Sequence, residues 1–175
     1  MEVSNIFTIG KFQFPEQYSP EDIRSWVQEI EVFPYILKET LHKIPESYYN
    51  YSYRPGGWSI KQIVHHIAES HLNAFIRFKL TLTEDNPIIK PYDQDKWSQL
   101  SDYNISPGVS ILLIESIHTK WSALLSNIDH SLFKKTYYHP EYNKEFNLAH
   151  VIALYSWDGK HHLSQILRAA ELKYS

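Results

Sequence analysis

The stretch that decides how this chain must fold is Tyr155-Ser156-Trp157-Asp158-Gly159-Lys160-His161-His162-Leu163-Ser164-Gln165-Ile166. As a helix, it places Asp158 and His162 one turn apart on a single face, where a carboxylate oxygen and an imidazole nitrogen can converge on one ion. A second histidine-rich stretch, Val64-His65-His66-Ile67-Ala68-Glu69-Ser70-His71, lies far earlier in the chain. Only a fold that brings the two stretches together could complete a metal site.

The first predicted helix has a strong start signal. Ser19 is a good N-cap, Pro20 suits the first helical position, and the two acids that follow favour the positive end of the helix dipole. Apolar residues at helical spacing carry this helix to about Ile44. Pro34 lies inside the pattern, so we expect a kink or a break near residues 32–33.

The second predicted helix follows a turn of the type Arg-Pro-Gly-Gly. Ser59 and Gln62 have the form of a capping box, and the apolar spacing continues to near Thr83. Residues 84–103 then form a long polar loop. A loop of this length in a compact domain is often functional, so we expect it to cover a binding site.

Two more helices complete the predicted fold. The third opens at Pro107 and stops near residues 127–130, residues 131–146 form an aromatic loop, and Asn147 caps the fourth helix. Residues 5–19 are expected to be an extended arm. Four long amphipathic helices without a convincing strand repeat predict an all-α, four-helix bundle.

Composition limits the classes of function. The 175 residues suit one domain, residues 1–175, and the hydrophobic fraction of 43% is typical of a folded protein. The net charge of −3 with scattered basic residues argues against a nucleic-acid partner. The absence of cysteine excludes thiolate ligands, so a metal must be held by His and carboxylates. Without a signal sequence in residues 1–5 or a membrane span, we expect a soluble, cytoplasmic protein.

The helical wheel selects only part of a metal site. Asp158 and His162 both fall inside the apolar stripe of the fourth helix, where an ionisable pair needs a partner. The pair could bind a metal or simply hydrogen-bond to each other or to another core group. On the second helix the wheel places His71 in the centre of the stripe, His66 on its flank and His65 pointing away. Periodicity therefore favours His71 as a buried core histidine and does not select His66.

Several motifs resemble those of the DinB/YfiT-like superfamily, in particular its YfiT branch. They extend over nearly the whole chain and comprise Ile9-Gly10-Lys11-Phe12, Arg54-Pro55-Gly56-Gly57-Trp58-Ser59, Val64 to His71, Lys79-Leu80-Thr81-Leu82-Thr83-Glu84, Lys90-Pro91-Tyr92-Asp93, and Tyr155-Ser156-Trp157 followed by Lys160-His161-His162. The resemblance implies a four-helix bundle that holds a metal with three histidines.

Carried over residue by residue, the resemblance implies His66, Asp158 and His162 as metal ligands. Asp158 stands where the family pattern has histidine. A carboxylate is a competent ligand, and with two histidines it suits catalytic zinc or non-haem iron. The expected cofactor is therefore one divalent ion, Zn, Ni, Mn or Fe, and the carboxylate shifts the preference towards the harder Mn²⁺ and Fe²⁺.

The resemblance implies a metal-dependent hydrolase or a thiol S-transferase of the bacillithiol transferase type. The main alternative is a non-catalytic bundle that has lost or weakened metal binding and acts as a binding or scaffold protein. An iron oxygenase-like activity has only the ligand type in its favour. We expect a small-molecule substrate, which could be a low-molecular-weight thiol, no nucleic-acid or membrane partner, and a homodimer as one assembly open to the chain.

Other residues near the predicted ligands have two interpretations each. Glu69 is a candidate general base or a solvated surface residue, and Arg77, with Asn73, could line the pocket and meet an anionic group or serve in a surface ion pair. His71 could orient a ligand or be a plain core histidine. His161 is expected to point away from the site.

Overall fold

The computed structural model describes residues 8–174, without the side chains of Lys173 and Tyr174. Residues 1–7, which hold the start of the predicted arm and the segment considered for a signal sequence, lie outside this range. The elements in chain order are α1 (Pro20–His42), α2 (Ile60–Thr83), α3 (Gln94–Trp97), α4 (Gly108–Leu125), β1 (Thr136–His139), β2 (Lys144–Asn147) and α5 (Leu148–Tyr174), with short 3-10 turns between them.

The four long helices form the predicted four-helix bundle. Helices α1 and α2 each pack against both α4 and α5, so the four make a closed ring in which α1 is diagonal to α2. Within residues 8–174 no helix combines the length and apolar character needed to cross a membrane. The assignment of residues 1–175 to a single domain stays a prediction.

The predicted helix starts are confirmed by their hydrogen bonds. In α1 the Asp22 N–H donates to Ser19 Oγ and the Ser19 N–H donates back to Asp22 Oδ2. In α2 Ser59 and Gln62 make the same reciprocal pair. These boxes satisfy N–H groups that have no partner within the first turn of a helix.

Asn147 has two roles at the junction of sheet and helix. It is the last residue of β2, and its Oδ1 accepts the His150 N–H at 2.8 Å, so it also caps α5 as predicted. The hairpin is therefore joined to α5 without an intervening loop.

The structure corrects two of the predictions about irregular segments. Helix α1 runs without interruption from Pro20 to His42, with Pro34 buried inside it, so of the kink or break expected near residues 32–33 the break is absent and the kink stays a prediction. The predicted aromatic loop at residues 131–146 contains a 3-10 turn and an antiparallel hairpin. In that hairpin Tyr137 pairs with Phe146 and both are buried, an alternation that the density of aromatic residues hid.

The core has two apolar clusters with a polar layer between them. One cluster includes Ile30, Phe78 and Trp121, and the other includes Leu37 and Ile67. Polar residues that lie between the two clusters along the helices include His71, His118 and Asp158. Such a layer is stable only if its groups find partners inside the protein.

The arm packs onto the bundle where it is described. The Phe12 ring lies 5.7 Å from that of Trp157, and the Phe14 ring lies 5.3 Å from that of Phe146. The Pro15 carbonyl accepts a hydrogen bond from His150 Nε2. The arm thus covers the first turns of α5 with aromatic side chains.

Gly159 lets α5 approach α1. A Cβ at this position would lie 2.8 Å from Cδ2 of the buried Phe33 ring. We predict that Gly159→Ala lowers the free energy of unfolding by about 1–2 kcal/mol, because overpacking a core outweighs the roughly 1 kcal/mol gain in helix propensity. Urea denaturation measures this change.

Gly108→Ala is the matched control, since a Cβ there meets only Ser106 Oγ at 3.4 Å. It should leave the free energy of unfolding unchanged or slightly raised. Equal stability of the two variants would mean that the Phe33 ring has room to move.

Candidate metal centre

The two histidine-rich stretches meet at one cavity of about 660 Å³, a volume typical of small-molecule sites. His66 from α2 and Asp158 and His162 from α5 all line it. The remaining walls come from the segment around Trp58, the loop after α2, the hairpin and α5, and include Arg54, Gly57, Trp58, Arg77, Tyr92, Asp95, Tyr137, His139, Glu141, Tyr142, Tyr155 and Trp157. Residues 84–103, predicted to cover a binding site, contribute Pro91, Tyr92, Gln94 and Asp95 to the cavity lining.

Asp158 and His162 have the separation of two donors to one ion. His162 Nε2 lies 3.5 Å from Asp158 Oδ1. Two donors that bind a tetrahedral ion at 2.0–2.1 Å lie about 3.3 Å apart. On the other side of the His162 ring, Nδ1 donates to Gln165 Oε1 at 2.9 Å. A neutral His162 therefore turns the lone pair of Nε2 towards Asp158.

This arrangement places two electron-pair donors face to face in a largely buried position. The His162 side chain is 8% exposed and the Asp158 side chain 18%. Two such lone pairs repel each other unless a cation lies between them, and that cation is a proton or a metal ion. Gln165 also holds His161, since its Nε2 donates to His161 Nε2 at 3.0 Å.

His66 lies beside this pair. Its ring centroid is 4.9 Å from that of His162 and 4.5 Å from that of Trp58, and its buried Nδ1 has no hydrogen-bond partner. Burial, together with the neighbouring His162, lowers the pKa of His66 to about 3, so the ring is neutral at pH 7 and can act as a ligand.

The second Asp158 oxygen is held from α2. Asp158 Oδ2 lies 3.3 Å from Nε2 of the fully buried His71. Burial alone would raise the pKa of Asp158, but His162, His71 and His66 together hold it below its usual range. The carboxylate is therefore ionised, as a metal ligand must be.

The donor set fits a divalent metal, but the three side chains do not yet surround one point. As they stand, no three His, Asp or Glu side chains among residues 8–174 form a group that could hold a metal ion. The structure thus provides one preorganised pair, Asp158 and His162, with a neutral His66 next to it. The assignment of these three residues as ligands stays a prediction.

The other candidates from the sequence divide into two groups. Arg77 lines the cavity, as expected. Glu69 accepts a hydrogen bond from the Tyr103 hydroxyl, and Asn73 donates to the Glu69 carbonyl at 2.8 Å. Burial raises the pKa of Glu69. Both Glu69 and Asn73 lie outside the cavity lining, which leaves Glu69 without support as a general base.

Two orientations expected from the helical wheel are wrong. His65, expected to point away, is buried between α2 and α4, where its Nδ1 bonds Ser110 Oγ at 2.7 Å. The segment before α4 covers a face that an isolated wheel treats as open. His161, expected to be off the site, lines the cavity and stacks on Trp157 with ring centroids 4.7 Å apart.

Arg77 dominates the electrostatics of the far wall. It is half-buried, its Nη2 donates to the Lys90 carbonyl at 3.0 Å, and among residues 8–174 it forms no ion pair with a carboxylate. Burial raises the pKa of Tyr92 and Tyr137 well above the usual range and that of Tyr155 to about 12, although the Arg77 charge opposes the rise. The wall therefore presents a cation and protonated phenols, which can donate hydrogen bonds.

Sequence reasoning missed three residues of this region. Gln165 orients His162, His118 bonds His71, and His139 lines the far wall with a buried, unpartnered Nδ1. A signal for His118 existed, because it lies on the apolar stripe between Ile114 and Trp121. No sequence signal pointed to His139, because the segment that forms its strand was predicted to be a loop.

The sequence of this chain is similar to those of known proteins. The sequence model of the DinB superfamily matches residues 30–166. A protein of Oceanobacillus iheyensis, provisionally named a metal-dependent hydrolase, is 41% identical over 167 residues, which cover 95% of this chain and 96% of that protein. A Bacillus cereus protein with the same provisional name is 41% identical over 160 residues, 91% and 92% of the two chains.

Solved structures agree in fold. YfiT from Bacillus subtilis, described as a probable metal-dependent hydrolase with an unusual four-helix bundle topology, matches with a TM-score of 0.93 and 37% identity over 97% of this chain and 98% of that one. A mycothiol-dependent maleylpyruvate isomerase matches with a TM-score of 0.68 and 10% identity, over 89% of this chain and 63% of that one, which shows a shared fold alone.

Buried neutral histidines make stability depend on pH. Burial lowers the pKa of both His66 and His118 to about 3, whereas in the unfolded chain it is near 6.5. Below pH 6.5 the unfolded state binds protons that the folded state does not, so the free energy of unfolding decreases as the pH is lowered.

We predict that metal-free protein loses about 2–3 kcal/mol of unfolding free energy between pH 7 and pH 5.5, as measured by urea denaturation. His118→Phe should make this decline about 1 kcal/mol smaller, and equal stability at the two pH values would contradict the prediction.

Proposed function

The chain belongs to the DinB superfamily, and on that premise we propose that it is a metal-dependent hydrolase or thiol S-transferase that acts on a small molecule, with the metal held by His66, Asp158 and His162. The observation that carries the proposal is the pair of buried donors, Asp158 Oδ1 and His162 Nε2, which face each other at 3.5 Å. Outer partners orient both groups, as is typical of metal ligands.

Residues around the proposed ligands would orient them and shield them from water. Gln165 fixes the His162 tautomer by accepting its Nδ1–H, and His71 holds the Asp158 oxygen that faces away from His162. Trp58 and Trp157 flank the histidines and limit the access of water. A divalent ion with three protein ligands supplies an open position that can lower the pKa of a bound water or hold a substrate thiolate.

The carboxylate at position 158 bears on which metal is used. It replaces one neutral imidazole of the family pattern with an anion, which favours Mn²⁺ or Fe²⁺ relative to an all-histidine site and leaves Zn²⁺ and Ni²⁺ as candidates. Low-molecular-weight thiols, including bacillithiol, are the co-substrates we propose to assay first. The mycothiol dependence of a protein with the same fold is a further reason to include them.

Arg77 suggests the charge of the substrate. It lines the cavity with its guanidinium 5.9 Å from the Tyr92 ring, and it has no carboxylate partner among residues 8–174. It lies eleven positions after His66 on α2, or roughly 16 Å along the helix axis. We propose that Arg77 binds a carboxylate or similar anion on a part of the substrate distant from the reacting atom.

One observation favours the alternative of a non-catalytic bundle. In the described residues no three donors already surround one point, and a proton between Asp158 and His162 would satisfy both groups without a metal. In that case the protein keeps the fold and the cavity as a binding module. Metal analysis separates the two proposals.

We predict that tag-free protein titrated with Zn²⁺, Ni²⁺, Mn²⁺ or Fe²⁺ binds one ion per chain. Asp158→Asn should weaken binding at least about tenfold, because it removes the anionic donor. Elemental analysis and calorimetry measure stoichiometry and affinity. Asp85→Asn, the same change at an exposed position, is the control.

The variant Asp158→His restores the family residue and decides between the proposals. If the natural chain stays metal-free with all four ions while Asp158→His binds one, metal binding has been lost and the non-catalytic alternative holds. If both bind, the proposed centre stands.

We predict that Arg77→Met impairs the use of an anionic thiol more than that of its uncharged form. With metal-loaded protein and an aromatic halide as electrophile, the variant should raise the KM for glutathione about tenfold and change the KM for the glutathione diester less than about twofold, since only glutathione keeps its carboxylates. Rates of thioether formation provide the measurement. An equal effect on both thiols would rule out a carboxylate contact at Arg77.

A further inference from the structure

A chain of hydrogen bonds crosses the polar layer from the backbone of α1 to Asp158. The Ile30 carbonyl lies 2.6 Å from His118 Nδ1, His118 Nε2 lies 2.7 Å from His71 Nδ1, and His71 Nε2 lies 3.3 Å from Asp158 Oδ2. His71 and His118 are 0% and 1% exposed. The steps between Ile30, His118 and His71 are therefore made inside the protein, without solvent, and the last step ends on Asp158 at the cavity wall.

Pro34 explains why the Ile30 carbonyl is available. In an α-helix this carbonyl would accept the N–H of the residue four positions later, which is Pro34. Proline has no N–H, so the carbonyl inside α1 lacks its helical partner. Because Ile30 and Pro34 are both buried, the carbonyl needs another donor, and His118 Nδ1 supplies it.

The carbonyl also fixes the direction of the chain. A carbonyl oxygen can only accept, so His118 must carry its proton on Nδ1. Burial lowers the pKa of His118 to about 3, so the ring has no second proton, and its Nε2 must accept from His71 Nδ1. His71 thereby donates from Nδ1, and because the ionised Asp158 Oδ2 can only accept, His71 must also carry a proton on Nε2 in order to hold it.

Packing keeps the two imidazoles in place. The His71 and His118 rings stack with centroids 4.9 Å apart, and the Phe33 ring lies 5.5 Å from each. Tyr155 meets the edge of His71 at 5.1 Å. These rings exclude water that could otherwise break the chain.

We propose that His118 and His71, anchored on the carbonyl that Pro34 frees, are positioning residues that fix the rotation of the Asp158 carboxylate. The chain holds Oδ2, so that Oδ1 is the oxygen that faces His162 Nε2 at 3.5 Å. The effect on metal affinity rests on the proposed function, whereas the direction of the hydrogen bonds does not. The alternative is that His118 only stabilises the core through its hydrogen bonds and has no effect on Asp158.

His65 is a matched control for that structural role. Like His118, it is buried and joins α2 to α4 through a hydrogen bond, in its case to Ser110, but it makes no contact with Asp158. Removing His65 or His118 should cost comparable core stability. Only the removal of His118 should alter the site.

The first test is the histidine tautomer in metal-free protein, read from long-range ¹H–¹⁵N correlation spectra. His118 should carry its proton on Nδ1. In Pro34→Ala the backbone N–H restored at position 34 competes for the Ile30 carbonyl, so the His118 Nδ1–H signal should shift while the free energy of unfolding is kept or raised. A His118 protonated on Nε2, or a signal unchanged in Pro34→Ala, would overturn the inference whether or not a metal binds.

The second test is the Zn²⁺ dissociation constant of the full chain, measured by competition with a chelating dye. His118→Phe should weaken binding about tenfold, as loss of an outer partner typically does, and His65→Phe less than about twofold. His118→Gln can still donate to a carbonyl and accept from an imidazole, so it should keep most of the affinity. Equal weakening by His65→Phe and His118→Phe would overturn the positioning role. If the natural chain binds no Zn²⁺, the proposed function fails and the tautomer test alone decides this inference.

Discussion

The need to satisfy buried polar groups in the middle of the bundle is the constraint on which the rest of the structure depends. The chain from the Ile30 carbonyl through His118 and His71 to Asp158 visits α1, α4, α2 and α5 once each. Its three steps cross three of the four helix contacts in the ring. If one helix were shifted by a turn, a buried donor or acceptor would lose its hydrogen-bond partner, at a cost of about 1–3 kcal/mol for each group. The polar layer therefore fixes how the four helices are positioned along one another, which the two apolar clusters alone would not determine.

The cavity beside this layer is lined by two kinds of polar group. Around Asp158 and His162 the groups are lone-pair donors that need a cation. Around Arg77 the groups are a guanidinium and phenols that remain protonated, which need an anion. Tyr155 lies between them, since both Asp158 and Arg77 influence its pKa. The ligand that we propose for this cavity would accordingly be bipolar, with a metal-seeking atom and a negative charge.

The sequence predicted those parts of the fold that local rules determine. The capping boxes at Ser19 and Ser59 and the cap at Asn147 were correct because a cap depends on residues within one turn. The Asp158 and His162 pair was found because a charged group on an apolar stripe conflicts with the helical pattern. The resemblance to a known family, and not periodicity, singled out His66.

The parts that the sequence could not give depend on contacts between distant segments. His65 was placed outside because its partner Ser110 lies on another helix. Pro34 was expected to kink or break α1, yet the helix is not broken, and His118 from across the bundle replaces the missing hydrogen bond. To predict that bond, one must know which carbonyl lacks its helical partner and which imidazole reaches it. A single sequence shows neither. The hairpin was missed because its alternation spans only four residues in each strand.

The hairpin has an evolutionary consequence. Its turn carries Glu141 and Tyr142, which line the cavity mouth, and Asn143 takes up the positive φ that the reversal needs. These residues are exposed and belong to none of the contacts that set the helix register. Mutations at Glu141 and Tyr142 can therefore accumulate at little cost to folding while they change what enters the cavity. Descendants of such a protein could diversify in ligand preference by drift in this short turn, with the bundle inherited unchanged.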